Sequence, residues 1–219
     1  MSDGLNRLIA AARPILQALA NNNTKETFEP LKPRFKAEVE APAKLLAERF
    51  AEDVSRLTGT AHQDKVGRIY RDVRFSKNKA HYNTFIHVYW QAPEGGGSGW
   101  LLNITADEVN FMTGLHQMEG EALQTYRTAI DRDGDTLAGI VVEARKSGMT
   151  LFDWGDPFFK RVPKPYDDNH PHAGLLRRKQ LIVGISLDEA RLSAGLPAAL
   201  SQAAQDLLSF WQWCNAAMR

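Results

Sequence analysis

The stretch TFIHVYWQAPEGGGSGWLLNITADEVNFMTGL, residues 84–115, decides the fold. It holds three runs rich in Val, Ile, Phe, Tyr and Trp, at residues 84–91, 100–105 and 108–115. Such side chains fit a pleated, half-buried surface. The glycine-rich connector at 94–99 and the Ala106-Asp107 turn are short. Parallel neighbours need a crossover of about a dozen residues or more, so these strands pair antiparallel.

Working outward, residues 66–75 alternate, with Ile69, Arg71, Val73 and Phe75 on one side and Arg68, Tyr70, Asp72 and Arg74 on the other, which predicts a preceding strand. Two more strands are expected at 149–153 and 179–187. Helical periodicity surrounds them. Residues 3–21 place Leu5, Leu8, Ile9, Ala12, Ile15, Leu16 and Leu19 on one face, and Pro14 is expected to divide this stretch into two helices. Thr24 reads as the N-cap of a segment with Phe28, Leu31 and Phe35 inward. A helix is expected from about Pro42 to Leu57, stopped by Gly59. Further helices are predicted at 119–131, 134–146 and 196–217. Helices, then strands, then helices argue an α+β class: a mostly antiparallel sheet packed against N-terminal and C-terminal helices. Nothing in residues 1–219 reads as a linker, so a single domain is expected.

Composition bounds the function. The 219 residues are 43% hydrophobic and 24% charged, ordinary for a globular chain. No apolar run approaches the roughly 20 residues of a membrane span, so no membrane partner is expected. A lone cysteine, Cys214, and the absence of a signal-like N-terminus fit a cytoplasmic location. The net charge is +1, yet the cations cluster. Residues 65–79 hold Lys65, Arg68, Arg71, Arg74, Lys77 and Lys79 against Asp72. Residues 160–179 hold Lys160, Arg161, Lys164, Arg177, Arg178 and Lys179 against Asp167 and Asp168. Two compact basic segments in an otherwise acidic chain suit a small anion better than the broad basic face of a duplex-binding domain.

The blocks RIYRDVRFSKNKAHY (68–82), NNNTKETFEPLKPRF (21–35) and FKRVPKPYDDNHPHAGLLRRKQLIV (159–183) carry a resemblance. The chain resembles the uncharacterised bacterial and fungal family catalogued as domain of unknown function 2461, from about residue 14 to the C-terminal helix. It departs from that family's pattern at Asn78-Lys79-Ala80-His81-Tyr82-Asn83, where the family typically reads Asp-Lys-[Ser/Thr]-Pro-Tyr-Lys, and at Thr27, where a Trp is usual. The resemblance implies an α+β domain and supplies no activity.

The residues themselves then suggest the site. Arg71 shares a strand face with apolar neighbours and needs a partner there, because an unpaired buried charge is severely unfavourable. One reading is an ion-pair network in which Asp72 and helix acids neutralise the arginines. A second is an anion pocket: Arg71 and Arg74 as forked donors beside Asp72, Ser76 and the backbone after it as a nest, and Lys77, Lys79 and Tyr82 at the rim. A third is an exposed, solvated loop. The second basic segment would add Lys160, Arg161, Lys164, His170 and Lys179, with Pro171 opening a short helix near Asn169 or His170. Asp167, His170 and His172 have the residue types of a metal site but no third anchor elsewhere, so no metal and no cofactor is expected. The expected function is a binding module or enzyme with a basic pocket for a small molecule bearing phosphate or carboxylate. The alternative is a non-catalytic interaction or nucleic-acid-binding protein using the same basic surface. The sequence leaves catalysis, ligand identity and oligomeric state open.

Overall fold

The apolar stripe from Leu5 to Leu19 forms one helix, α1 (Ser2–Asn21), with Pro14 inside it. The expected division at Pro14 does not occur. Pro14 and Ala10 are both exposed, so the backbone bond that the proline removes is lost on the side where water can replace it, and the buried stripe stays in phase. This computed structural model describes residues 2–72, 74, 79–93 and 97–219, with Ser2 and Asp3 described by backbone alone.

Two single turns follow, α2 (Lys25–Phe28) and α3 (Lys32–Phe35). Thr24 caps α2 as predicted, its hydroxyl accepting from the Thr27 amide. A π-helical segment, Lys36–Glu40, carries the chain into α4 (Ala41–Thr58), which ends at Gly59 with φ 68°. That left-handed geometry strains any residue with a Cβ, hence the stop where glycine stands.

The strands are β1 (Gln63–Val66), β2 (Ile86–Gln91), β3 (Gly99–Ile104) and β4 (Val109–Leu115). The first strand lies earlier than the expected 66–75. The Gly67 amide still donates to the His87 carbonyl, but β2 begins at Ile86, so the pairing with it ends there and residues 69–71 pair instead with 81–83. Val73 and Phe75 lie outside the described residues. Next come α5 (Gly120–Lys146), β5 (Met149–Phe152), α6 (Ala173–Leu176) and β6 (Leu181–Ser186). The two helices expected at 119–131 and 134–146 are one kinked element, bent at Asp133. His172, not Asn169 or His170, precedes α6. The chain closes with α7 (Glu189–Leu192), α8 (Leu196–Asp206) and α9 (Leu208–Ala217), so the expected 196–217 helix is interrupted at Leu207.

The sheet order is β1-β2-β3-β4-β6-β5, antiparallel at every pairing. One face packs on α1, α4, α8 and α9. Its aromatic centre is Trp90, Trp100, Phe111 and Trp211, with Trp100 stacked on both Phe111 and Trp211. The indole N–H groups of Trp90 and Trp211 donate to the carbonyls of Ala47 and Ser98, so burial leaves neither donor unpaired. The other face holds His87, Tyr89, Gln91, Leu101 and Asn103, half-buried or exposed, where their strand neighbours Val88, Trp90, Trp100 and Leu102 are fully buried. That alternation leaves one side of β2 and β3 open, and the candidate site lies there.

Candidate functional site

Two loops raise walls over the open face. β4 runs out through His116, Gln117, Met118 and Glu119 before α5 begins, and Gln117 has φ 48°. A left-handed non-glycine residue is uncommon and costs on the order of 1–3 kcal/mol. Two bonds pin this turn to the opposite wall: the Met118 amide donates to the Lys179 carbonyl, and the Lys179 amide to the Pro157 carbonyl. The second wall follows β5: Asp153, Trp154, Gly155, Asp156 and Pro157. Gln180, buried, donates from Nε2 to the Trp154 carbonyl at 2.8 Å. Arg178, also buried, pairs with Asp153 at 2.6 Å and lies over the Phe158 ring.

Between the walls lie two adjoining cavities. The larger, about 640 Å³, is lined by His116, Glu119, Leu123, Trp154, Asp156, Phe159, Lys179 and Gln180 among others. The smaller, about 310 Å³, lies over the sheet with His87, Tyr89, Gln91, Leu101 and Met112 in its lining. Both are lined by His116 and Trp154, whose rings meet edge-on at 5.8 Å. Trp154 is 38% exposed, unusually open for a large aromatic.

The chemistry differs at the two ends. At the sheet end, burial pushes the His87 imidazole down to about 4, against a smaller opposing effect from a bond to the Asn103 side chain. His87 is therefore a neutral ring at neutral pH, with Nδ1 2.7 Å from the Tyr89 hydroxyl and Phe85 stacked at 4.2 Å. Burial raises the Tyr89 phenol. This end offers uncharged hydrogen-bonding groups around an apolar floor. At the other end, Lys179 bonds Asp156 at 2.8 Å and holds that carboxyl below its usual range. Lys179 also lies 4.9 Å from the Phe159 ring centroid. Among the described residues no group of three or more acids, histidines or cysteines is arranged to hold a metal ion.

Of the residues proposed from sequence, Lys179 lines the larger cavity. The Arg71 group lies elsewhere, beside α2. Arg71 is half-buried, its amide donates to the His81 carbonyl, and its side chain forms no ion pair among the described residues. Asp72 and Arg74 are exposed and pair with each other, Arg74 Nε to Asp72 Oδ1 at 2.9 Å, which lowers the Asp72 carboxyl. Lys79 is exposed. Tyr82 is 4% exposed, packed on Phe28 and held through its backbone by Asn23, so it anchors α2 instead of forming a rim. Ser76 and Lys77 lie outside the described residues. Lys160, Arg161 and Lys164 are exposed on the loop after Phe159. His170 pairs with Asp131 at 3.0 Å and His172 with Asp135 at 3.1 Å, clasping that loop to α5.

Sequence reasoning missed His87, Tyr89, His116 and Trp154. The signal for the first two was present: Ile86, Val88 and Trp90 alternate with His87, Tyr89 and Gln91, which sends the polar set to the opposite face. For His116 and Trp154 there was none, since a loop's position over a sheet has no local periodicity.

The chain belongs to the family described as conserved hypothetical protein (DUF2461), whose profile matches residues 12–213. Among curated proteins, none matches the chain. Among the described residues, no helix is long and apolar enough to cross a membrane.

Proposed function

We propose that this member of a family of conserved hypothetical proteins binds, on the open face of its sheet, a small molecule bearing a carboxylate or phosphate. One observation carries the reading: two adjoining cavities share His116 and Trp154, with neutral hydrogen-bonding groups at one end and Lys179 at the other. Concave, largely apolar sites with a few convergent polar groups are the usual form of small-molecule sites. A flat ligand body would lie against Trp154 and over Leu101 and Met112, within reach of the Tyr89 hydroxyl and Gln91. Its anionic group would take Lys179 from Asp156. Asp156 is 85% exposed, and exposed ion pairs are worth only about 0–1 kcal/mol, so that exchange costs little.

The test is a thermal-shift screen of aromatic carboxylates, sugar phosphates and nucleotides, repeated on Trp154→Ala and Lys179→Met. A ligand that protects the parent protein should bind each variant about tenfold or more weakly. Equal protection of parent and both variants would place the ligand elsewhere and end this reading.

A second reading, an interaction or nucleic-acid surface at the first basic segment, is favoured by one feature. Tyr70 is 50% exposed, braced edge-on by Phe28 and packed against Tyr82, among the exposed cations Arg68, Arg74 and Lys79. An exposed ring among cations suits stacking on a single strand. Affinity for an oligonucleotide that falls steeply with salt and drops for Tyr70→Ala would favour it.

A further inference from the structure

Arg127 is a buried cation without an acid among the described residues. It lies on α5 one turn beyond Leu123, a lining residue of the larger cavity, and is 4% exposed. Its Nε donates to the Leu176 carbonyl over a long 3.4 Å, and its Nη2 is buried with no hydrogen-bond partner among the described residues. No described carboxylate pairs with it, whereas the neighbouring buried Arg178 has Asp153. Burial lowers the Arg127 pKa, as expected of a charge held out of water. A guanidinium so placed is costly unless an anion completes it. Phe159, a lining residue of the cavity, is in contact with it. The Arg127 guanidinium carbon lies 5.0 Å from that ring's centroid, and Lys179 Nζ, on the cavity lining, lies 4.9 Å from the same centroid. Two cations therefore touch one aromatic side chain, which is only half-buried.

We propose that Arg127 and Lys179 form a two-cation anchor for the oxyanion of the bound molecule, with the Phe159 side chain as the partition that moves aside. The oxyanion enters beside Lys179, displaces Asp156, and receives the forked donors of Arg127 once the ring has swung away. A rotating aromatic side chain suffices, since the backbone at Phe159 stays bonded to the Arg177 carbonyl. This inference rests on the sheet-face site proposed above and names the group that recognises the ligand's charge.

The probes are inorganic phosphate and acetate, titrated against the full chain and followed by thermal shift. Phosphate or acetate should stabilise the parent protein, and the stronger of the two assigns the oxyanion as phosphoryl or carboxylate. Arg127→Lys, which keeps the charge and loses the fork, and Lys179→Met should each weaken the response about tenfold or more. Because substitutions at Arg127 can impair folding, labelling provides a second measurement. In Phe159→Ala, phenylglyoxal should modify Arg127 readily, and the stabilising anion should slow that modification severalfold, as read by peptide mass. Labelling of Arg127 that ignores the anion, or titrations unchanged in both charge variants, would overturn the anchor. Should a screened organic ligand bind and depend on Trp154 while neither anion acts, the anchor falls and the sheet-face site stands. Failure of both probes and screen removes both.

Discussion

His87 shows how burial sets the chemistry of one side chain. Its ordinary value of 6.5 falls to about 4 in the folded protein, because the ring has lost water and gained only neutral partners. The unfolded chain therefore binds the proton more readily. The contribution of His87 to stability is complete above pH 6.5 and is lost as pH falls towards 4, on the order of 3 kcal/mol in all. His62, also buried and lowered, acts with the same sign, so the difference between proteins is the informative quantity. The urea midpoint of His87→Gln should fall less between pH 7 and 4 than that of the parent; parallel curves would show that His87 does not govern the slope. Arg71 makes the opposite case. It forms no ion pair among the described residues and its stem is half-buried, so Arg71→Met should shift stability by less than about 1 kcal/mol. A loss of about 3–5 kcal/mol in urea would instead mark the ion-pair network that the sequence also allows.

At the scale of an element, α5 depends on a missing side chain. A Cβ on Gly134 would lie 2.3 Å from the His172 ring, so glycine there lets the 167–172 loop close onto the helix. The kink at Asp133, whose carboxylate accepts from the Trp213 indole, falls one residue earlier. Gly134→Ala gains about 1 kcal/mol of helix propensity but must push His172 away from Asp135. A net loss of about 1–2 kcal/mol is expected from the overpacking. Hydrogen exchange should quicken in residues 167–172. In a His172→Ala background the same change should be neutral or stabilising, since nothing remains to collide with. Persistence of the full loss in that background would trace it to the kink.

Across the whole molecule, one core runs from Leu5 in α1 to Ala217 in α9. The N-terminal helix is tied directly to the start of α8, the Leu196 amide donating to Asn6 Oδ1. Unfolding should therefore follow one calorimetric transition, with calorimetric and van't Hoff enthalpies equal. Trp211→Ala, which empties one side of the stack on Trp100, should cost about 3–5 kcal/mol without splitting that transition; two resolved peaks would reveal separate units. The local features were legible in the sequence. The period-two alternation of residues 86–91 and the short connectors imposed antiparallel strands, Thr24 capped its turn, and Gly59 ended α4. Each of these depends on residues a few positions apart, whose propensities and hydrogen bonds are settled locally. Tertiary packing alone decided that β6 inserts between β4 and β5, that Pro14 lies within an unbroken helix, and that Tyr82 is buried against α2. Packing also brought His87, His116, Trp154 and Lys179 to one face. Residues so far apart in the chain meet only because the opposite face of the sheet is buried under helices, and no local pattern records which loops then rise over the side left open.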